Sequence, residues 1–215
     1  LLMPAVAWFS QQEAFGPTNG ALSDRYPTLV VAAGYAFSIW GLIYLWLIAP
    51  AGFGLIARRD QVQFTQPGLP LLAAVALGAL WLAIAGSFPI LATLTILLMA
   101  ALALTAFLIA DPAQDRWLLS APLAIFAGWL TAAAAVSTGV ILAGYGLLSD
   151  TGAALTMLAL VLAIALAVQS QCPRMPVYGA TVVWAIIGIV VVNWGQNPTV
   201  AYSALAGAAI LAAAT

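Results

Sequence analysis

Fixed charge in this chain is confined to a few short clusters, and the sequence between them is apolar. The eleven charged residues are Glu13, Asp24, Arg25, Arg58, Arg59, Asp60, Asp111, Asp115, Arg116, Asp150 and Arg174. Seven charge-free runs lie between or after them: Ala33–Ala57, Gly68–Ser87, Phe88–Ala110, Trp117–Leu142, Thr151–Gln169, Pro176–Val192 and Pro198–Ala214. A membrane-spanning helix needs about 20 mostly apolar residues. The runs lack the period-two alternation of a transmembrane barrel, and in lipid the backbone must then satisfy its polar groups within helices. Only 5% of the 215 residues are charged, against roughly 25% in soluble domains. The expected fold class is all-α, a polytopic membrane helix bundle with seven full spans. Leu1–Ser10 reads as the end of a further apolar segment, a partial first helix in preference to the remnant of a signal region.

The arginines orient the bundle. Spans alternate sides, so Arg58, Arg59, Arg116 and Arg174 share one side and Arg25 stands alone on the other. An excess of Arg marks the cytoplasmic face, which places the four-Arg loops in the cytoplasm and the protein in a bacterial inner membrane. The segment Gln11–Gly34 then lies outside. It is the longest loop and carries the turn signals Gly16-Pro17 and Asn19-Gly20. It reads equally as a cover over a cavity and as a plain surface connector.

Several functions lose their chemistry at once. There is no His, the commonest metal ligand and proton shuttle, and the single cysteine, Cys172, allows neither an intrachain disulfide nor a thiolate cluster. A net charge of -1 gives nucleic acid nothing to bind. No carboxylate sits within a run, so a general acid–base pair at membrane depth is missing and ion-coupled transport loses its usual marker. Neither catalytic residues nor a metal site is expected, and the chain does not read as an enzyme. Ser38, Thr131, Ser137 and Thr138 lie inside runs without a base beside them; bonding between helices or to the preceding turn outweighs a nucleophilic role.

The aromatic residues carry more information. YAFSIWGLIYLW, Tyr35 to Trp46, places five aromatic side chains in twelve uncharged residues. Phe37, Trp40 and Tyr44 recur at spacings of three and four and share one helix face, while Trp46 points elsewhere. Trp46, Trp117 and Trp194 lie near span ends, where interfacial belts account for Trp. Trp129 lies midway along its run and Trp81 late in its own. A Trp away from the interface needs a partner for its indole N–H, and either close packing or a pocket lining would supply one.

Trp40-Gly41-Leu42-Ile43-Tyr44 resembles the W-x-x-x-Y that opens the second helix of the tryptophan-rich sensory protein family, also called translocator protein or peripheral benzodiazepine receptor. Trp81 is similar to the Trp of that family's third-helix N-x-x-W, and Pro122, Phe126, Trp129, Thr131, Ala133 and Ser137 are similar to its fifth-helix pattern of Pro, W-x-T-x-A and Asn. The chain departs from the family at four points. Phe37 stands three residues before Trp40, not four; the Pro-rich run before the motif is missing; Gly78 replaces one Asn and Ser137 the other; and Phe88-Pro89 only loosely echoes a paired Phe.

The resemblance implies a translocator-like five-helix core over residues 1–146, its first helix partial, with residues 147–215 as a C-terminal three-helix extension in the same bundle. It implies a pocket beneath the first loop for a lipophilic small molecule: a tetrapyrrole such as a porphyrin, or a sterol-like or carotenoid-like compound. Phe37, Trp40, Tyr44, Trp81 and Trp129 would line it, with Thr131 and Ser137 offering hydrogen bonds. A bound tetrapyrrole would be held without imidazole ligation. The expected partners are membrane lipid and the lipophile, with a homodimer or larger membrane complex open. The competing reading is a structural or assembly subunit of a larger complex, pigment–protein in kind, supported by the scarcity of extramembrane chain.

Overall fold

A computed structural model describes residues 28–57, 62–113 and 115–215. The partial helix expected at Leu1–Ser10, the Gln11–Gly34 loop up to residue 27, and Arg25, Arg58 and Arg59 lie outside the described residues. Among the described residues every regular element is helical. A 3-10 turn, Gly34–Ser38, leads into α1 (Ile39–Ala57). The short α2 (Val62–Thr65) follows, then α3 (Gly68–Ile84), α4 (Pro89–Ile109), α5 (Ser120–Gly144), α6 (Asp150–Gln171), α7 (Val177–Asn193) and α8 (Pro198–Ala214). The seven long helices fall on the seven charge-free runs. Four helical segments, beginning at Gly34, Pro89, Ser120 and Asp150, are long and apolar enough to cross a membrane, and α3, α7 and α8 are shorter apolar helices. The protein is a polytopic helical bundle of the kind that spans membranes.

Helix boundaries follow local chemistry. Pro89 and Pro198 occupy the first turns of α4 and α8, where proline's missing N–H costs nothing and its φ is already helical. The Ser149 hydroxyl accepts from Gly152 N–H at 3.1 Å and the Asn197 carboxamide from Val200 N–H at 3.1 Å, each capping a helix start.

α5 is the hub. It packs directly against α1, α4, α6 and α7, while α3 leans on α4, and α8 fills the angle between α6 and α7. Its residues from Ser120 to Ala132 are all buried, as expected of a helix apolar on every side. Small residues permit this. A Cβ added at Gly128 would lie 2.8 Å from the Tyr178 carbonyl oxygen and 3.0 Å from Thr181 Cβ, so α5 and α7 meet there backbone to backbone. Outward-facing leucines such as Leu45, Leu72, Leu94 and Leu160 are exposed and form a lipid-facing surface.

Gly128→Leu forces α7 off the hub and should lower stability by about 1–3 kcal/mol, the usual cost of overpacking. Gly41→Leu, at a site where an added Cβ meets nothing within 4 Å, should leave the unfolding midpoint of the detergent-solubilised protein nearly unchanged. Equal midpoints for the two variants would contradict the close crossing.

Candidate functional site

The site begins with a stretch that is not α-helical. Residues Thr28–Ala33 precede the 3-10 turn and run beside α7 in the opposite direction. Asn193 Nδ2 donates to the Leu29 carbonyl at 2.8 Å, Ala33 N–H donates to the Gly188 carbonyl at 3.0 Å, and Trp184 Nε1 donates to the Ala36 carbonyl at 3.1 Å. These three bonds step down α7 from its end toward its middle. Gly188 makes the approach possible, because a Cβ there would sit 2.8 Å from Ala32 Cβ and 3.1 Å from Ala36 Cβ. Val30, Val31, Ala32 and Ala36 are buried. Non-helical backbone at membrane depth is tolerated only where protein encloses it, and here α7 does so.

Phe37 lies in the 3-10 turn and Trp40 in the first turn of α1, and a spacing of three keeps both side chains on one face. Both meet Trp129 edge-to-face: Phe37 at 5.7 Å and 86°, Trp40 at 6.1 Å and 82°. Trp40 in turn stacks on Tyr44 at 5.2 Å and 22°. Such pairs add about 0.5–1.5 kcal/mol each beyond their buried area, so the aromatic cluster fixes the start of α1 against α5.

Above this cluster lies a partly open cavity of about 160 Å³. Phe37, Trp40, Trp81 and Trp129 form its aromatic side. Val30, Val31 and Ala32 roof it. Ile96 of α4, Met157, Leu158 and Val161 of α6, and Ile186 and Ile189 of α7 complete the wall. No lining residue is charged. Thr93 and Ser137 supply its hydroxyls, and these engage each other at 2.8 Å, with Thr93 Oγ1 2.9 Å from the Pro89 carbonyl as well. Trp81 Nε1 and Trp129 Nε1 are buried without any acceptor. An unmet buried donor costs about 1–3 kcal/mol. Thr28 Oγ1 and Asn193 Oδ1, at the roof, are also buried and unpaired.

The residues expected at the site separate into groups. Phe37, Trp40, Trp81, Trp129 and Ser137 lie on the cavity. Tyr44 lies one step below, on a crevice of about 10 Å³ shared with Trp40, Trp81 and Gly78. Thr131 faces the other way: its hydroxyl donates to the Ala127 carbonyl at 2.8 Å and lies 3.2 Å from the Tyr178 hydroxyl, in the seam between α5 and α7. The Thr131 side chain is therefore committed to helix packing, and Thr93, on a different helix, provides the hydroxyl beside Ser137. Trp46 and Trp117 stack at 6.3 Å and 7°, and Trp46 Nε1 donates to the Trp117 carbonyl at 2.9 Å, at the opposite end of α5 from the roof. The contributions of α6, α7 and Thr93 had no local signal in the sequence, since they are ordinary apolar-run residues until the bundle brings them together.

The Asn193 bond to the Leu29 carbonyl is the outermost tie on the roof. Asn193→Ala should speed hydrogen exchange of the Val31 and Ala33 amides about tenfold or more, following the loss of a buried bond of about 1–3 kcal/mol, with the α5 amides unaffected. Unchanged exchange at both amides would show the roof to be held by other means.

A family model described as TSPO-like protein matches residues 1–215 of this chain. No curated protein and no solved structure matches it.

Proposed function

The chain belongs to the TSPO-like protein family and is a multi-pass membrane protein, and on that premise we propose that it binds a lipophilic small molecule in the cavity beside α5 and serves as its sensor or carrier. The observation that carries this reading is the meeting of Trp40, Trp81 and Trp129, from three separate helices, on one uncharged hollow. Rings with few torsions offer broad contact at low entropic cost, and an apolar hollow with few polar groups is the usual form of a lipophile site. The ligand classes in view are tetrapyrrole, sterol-like and carotenoid-like compounds. Binding without chemical conversion is part of the proposal. So is the division into a translocator-like core, residues 1–146, and an extension, residues 147–215, whose helices α6 and α7 close the cavity wall.

Titrating the purified protein in turn with protoporphyrin, a sterol and a carotenoid, while following Trp fluorescence, tests the reading. Saturable quenching by at least one of them should weaken more than tenfold in Trp129→Ala and in Ala132→Leu, which fills the hollow. Quenching no different from that in empty micles of the same detergent would reject it.

We also assign the loops carrying Arg58, Arg59, Arg116 and Arg174 to the cytoplasm of a bacterial inner membrane, on the positive-inside rule. Cys172, which follows α6, is the chain's single cysteine and so a natural reporter. A membrane-impermeant maleimide should label it in inside-out vesicles and not in right-side-out ones. Burial pushes the Cys172 thiol above its usual range, so labelling should be slow at neutral pH and accelerate as the pH is raised and thiolate forms. Labelling confined to right-side-out vesicles would invert the topology.

A further inference from the structure

We propose that the corner where α1 meets the start of α5 binds the headgroup phosphate of an anionic phospholipid, with the Arg116 guanidinium as the charged contact and the Trp46–Trp117 pair as the ledge beside it. The corner lies at the opposite end of α5 from the roofed cavity, and the inference does not depend on any ligand held there.

Three observations lead to it. The first is a cation without a counter-charge. The Arg116 guanidinium carbon lies 5.4 Å from the centroid of the Trp117 ring, within cation–π range. Among the described residues the guanidinium meets no carboxylate and donates no hydrogen bond, and its Nε is buried without an acceptor. The Asp111 carboxylate is turned instead to the Ala113 N–H at 2.8 Å. Arg116 is half-buried, a position that costs free energy when the charge has no partner. Its planar fork of donors matches the oxygens of a phosphate.

The second is a fixed platform. Trp46 and Trp117 stack at 6.3 Å and 7°, and the 2.9 Å bond from Trp46 Nε1 to the Trp117 carbonyl ties them together. Asp115, immediately before Arg116, holds φ at 45°, a left-handed conformation that residues other than glycine seldom adopt. Its carbonyl accepts from the Leu118 and Leu119 N–H groups. Tryptophan at a span end is the usual marker of headgroup level.

The third is the apolar surround. α1 runs antiparallel to α5, since Trp40 meets Trp129 and Trp46 meets Trp117. It continues from Trp46 to Ala57 without a charge, about 16 Å at the helical rise per residue. Arg116 therefore stands in a step beside an apolar helix that runs past the start of α5. Leu45 of α1, Leu108 near the end of α4 and Leu118 beside Trp117 are exposed apolar side chains on the adjoining elements. An occupant of such a step needs anionic oxygens next to long hydrocarbon, which is the makeup of a phospholipid and not of a free anion. A zwitterionic lipid brings its own ammonium to compete with Arg116 for the phosphate, so a lipid of net negative charge fits better.

The probes are phosphatidylglycerol and phosphatidylcholine with the same acyl chains, offered as an equal mixture to the full chain in detergent. Lipid retained on the protein is counted by native mass spectrometry, and circular dichroism with size-exclusion profiles confirms that each variant is folded. Phosphatidylglycerol should be retained over phosphatidylcholine by about fivefold or more, the scale of one Arg at an anionic surface. The preference should vanish in Arg116→Gln and fall in part in Arg116→Lys, which keeps the charge but not the fork. Arg174→Gln, in the connection between α6 and α7, should leave it unchanged. Equal retention of the two lipids by the wild-type chain overturns the inference. So does a preference that survives Arg116→Gln, or one that falls equally in Arg174→Gln, the mark of diffuse surface charge. Should Arg116→Gln fail to fold, an undiminished preference in Arg116→Lys overturns it. Displacement of the retained lipid by millimolar inorganic phosphate would assign the corner to a free anion and also overturns it.

Discussion

Backbone that is not helical cannot face lipid, because its N–H and C=O groups find no partners there. The stretch Thr28–Ser38 meets this constraint by lying against α7, where the Gly188 carbonyl, Trp184 Nε1 and Asn193 Nδ2 take up its backbone groups. Much of the remaining architecture depends on that arrangement. It requires α7 to stand beside the start of α1, and α7 also crosses α5 closely at Gly128. It also places Val30, Val31 and Ala32 as a roof rather than as another helical turn. Continued as a regular α-helix, these residues could not provide the same bonded cover.

The cavity follows from which residues meet beneath the roof. Ala132, Ala133 and Ala135 of α5, Ala92 of α4 and Ala185 of α7 all line it. Alanines suit the close approach of helices, but where several face one point they leave room that larger side chains would fill. Aromatic rings bound one side of this room, and edge-to-face contacts with Trp129 hold Phe37 and Trp40 in place. The ring positions are thus fixed before any ligand arrives, which lowers the entropic cost of binding.

The helical bundle was legible because charge clusters and Pro or Gly punctuation mark helix ends without reference to tertiary contacts. Ser149, Asn197, Pro89 and Pro198 sit at boundaries the charge-free runs already indicate. The aromatic side of the cavity was legible too, since Phe37, Trp40, Trp81 and Trp129 are large, unusual at membrane depth and spaced on recognisable faces. Three features were not. The spacing of three between Phe37 and Trp40 reads as a departure from the motif, and nothing local shows that both rings meet Trp129. Thr131 and Ser137 looked alike in sequence, yet Thr131 is drawn to Tyr178 across the helix seam and Ser137 to Thr93 on the cavity. The role of α7 depends on contacts between residues about 150 positions apart, such as Trp184 with Ala36, and no local pattern encodes them.

The central claim is that Trp40, Trp81 and Trp129 converge on a real hollow within the bilayer-spanning bundle. Diffraction from crystals pressurised with xenon, which enters dry apolar voids of this size, tests it most directly. The account predicts a xenon peak bounded by Trp81, Trp129, Ile96 and Ile186. A map with those rings turned toward lipid, and packed side chains with no xenon where the hollow should be, would contradict it.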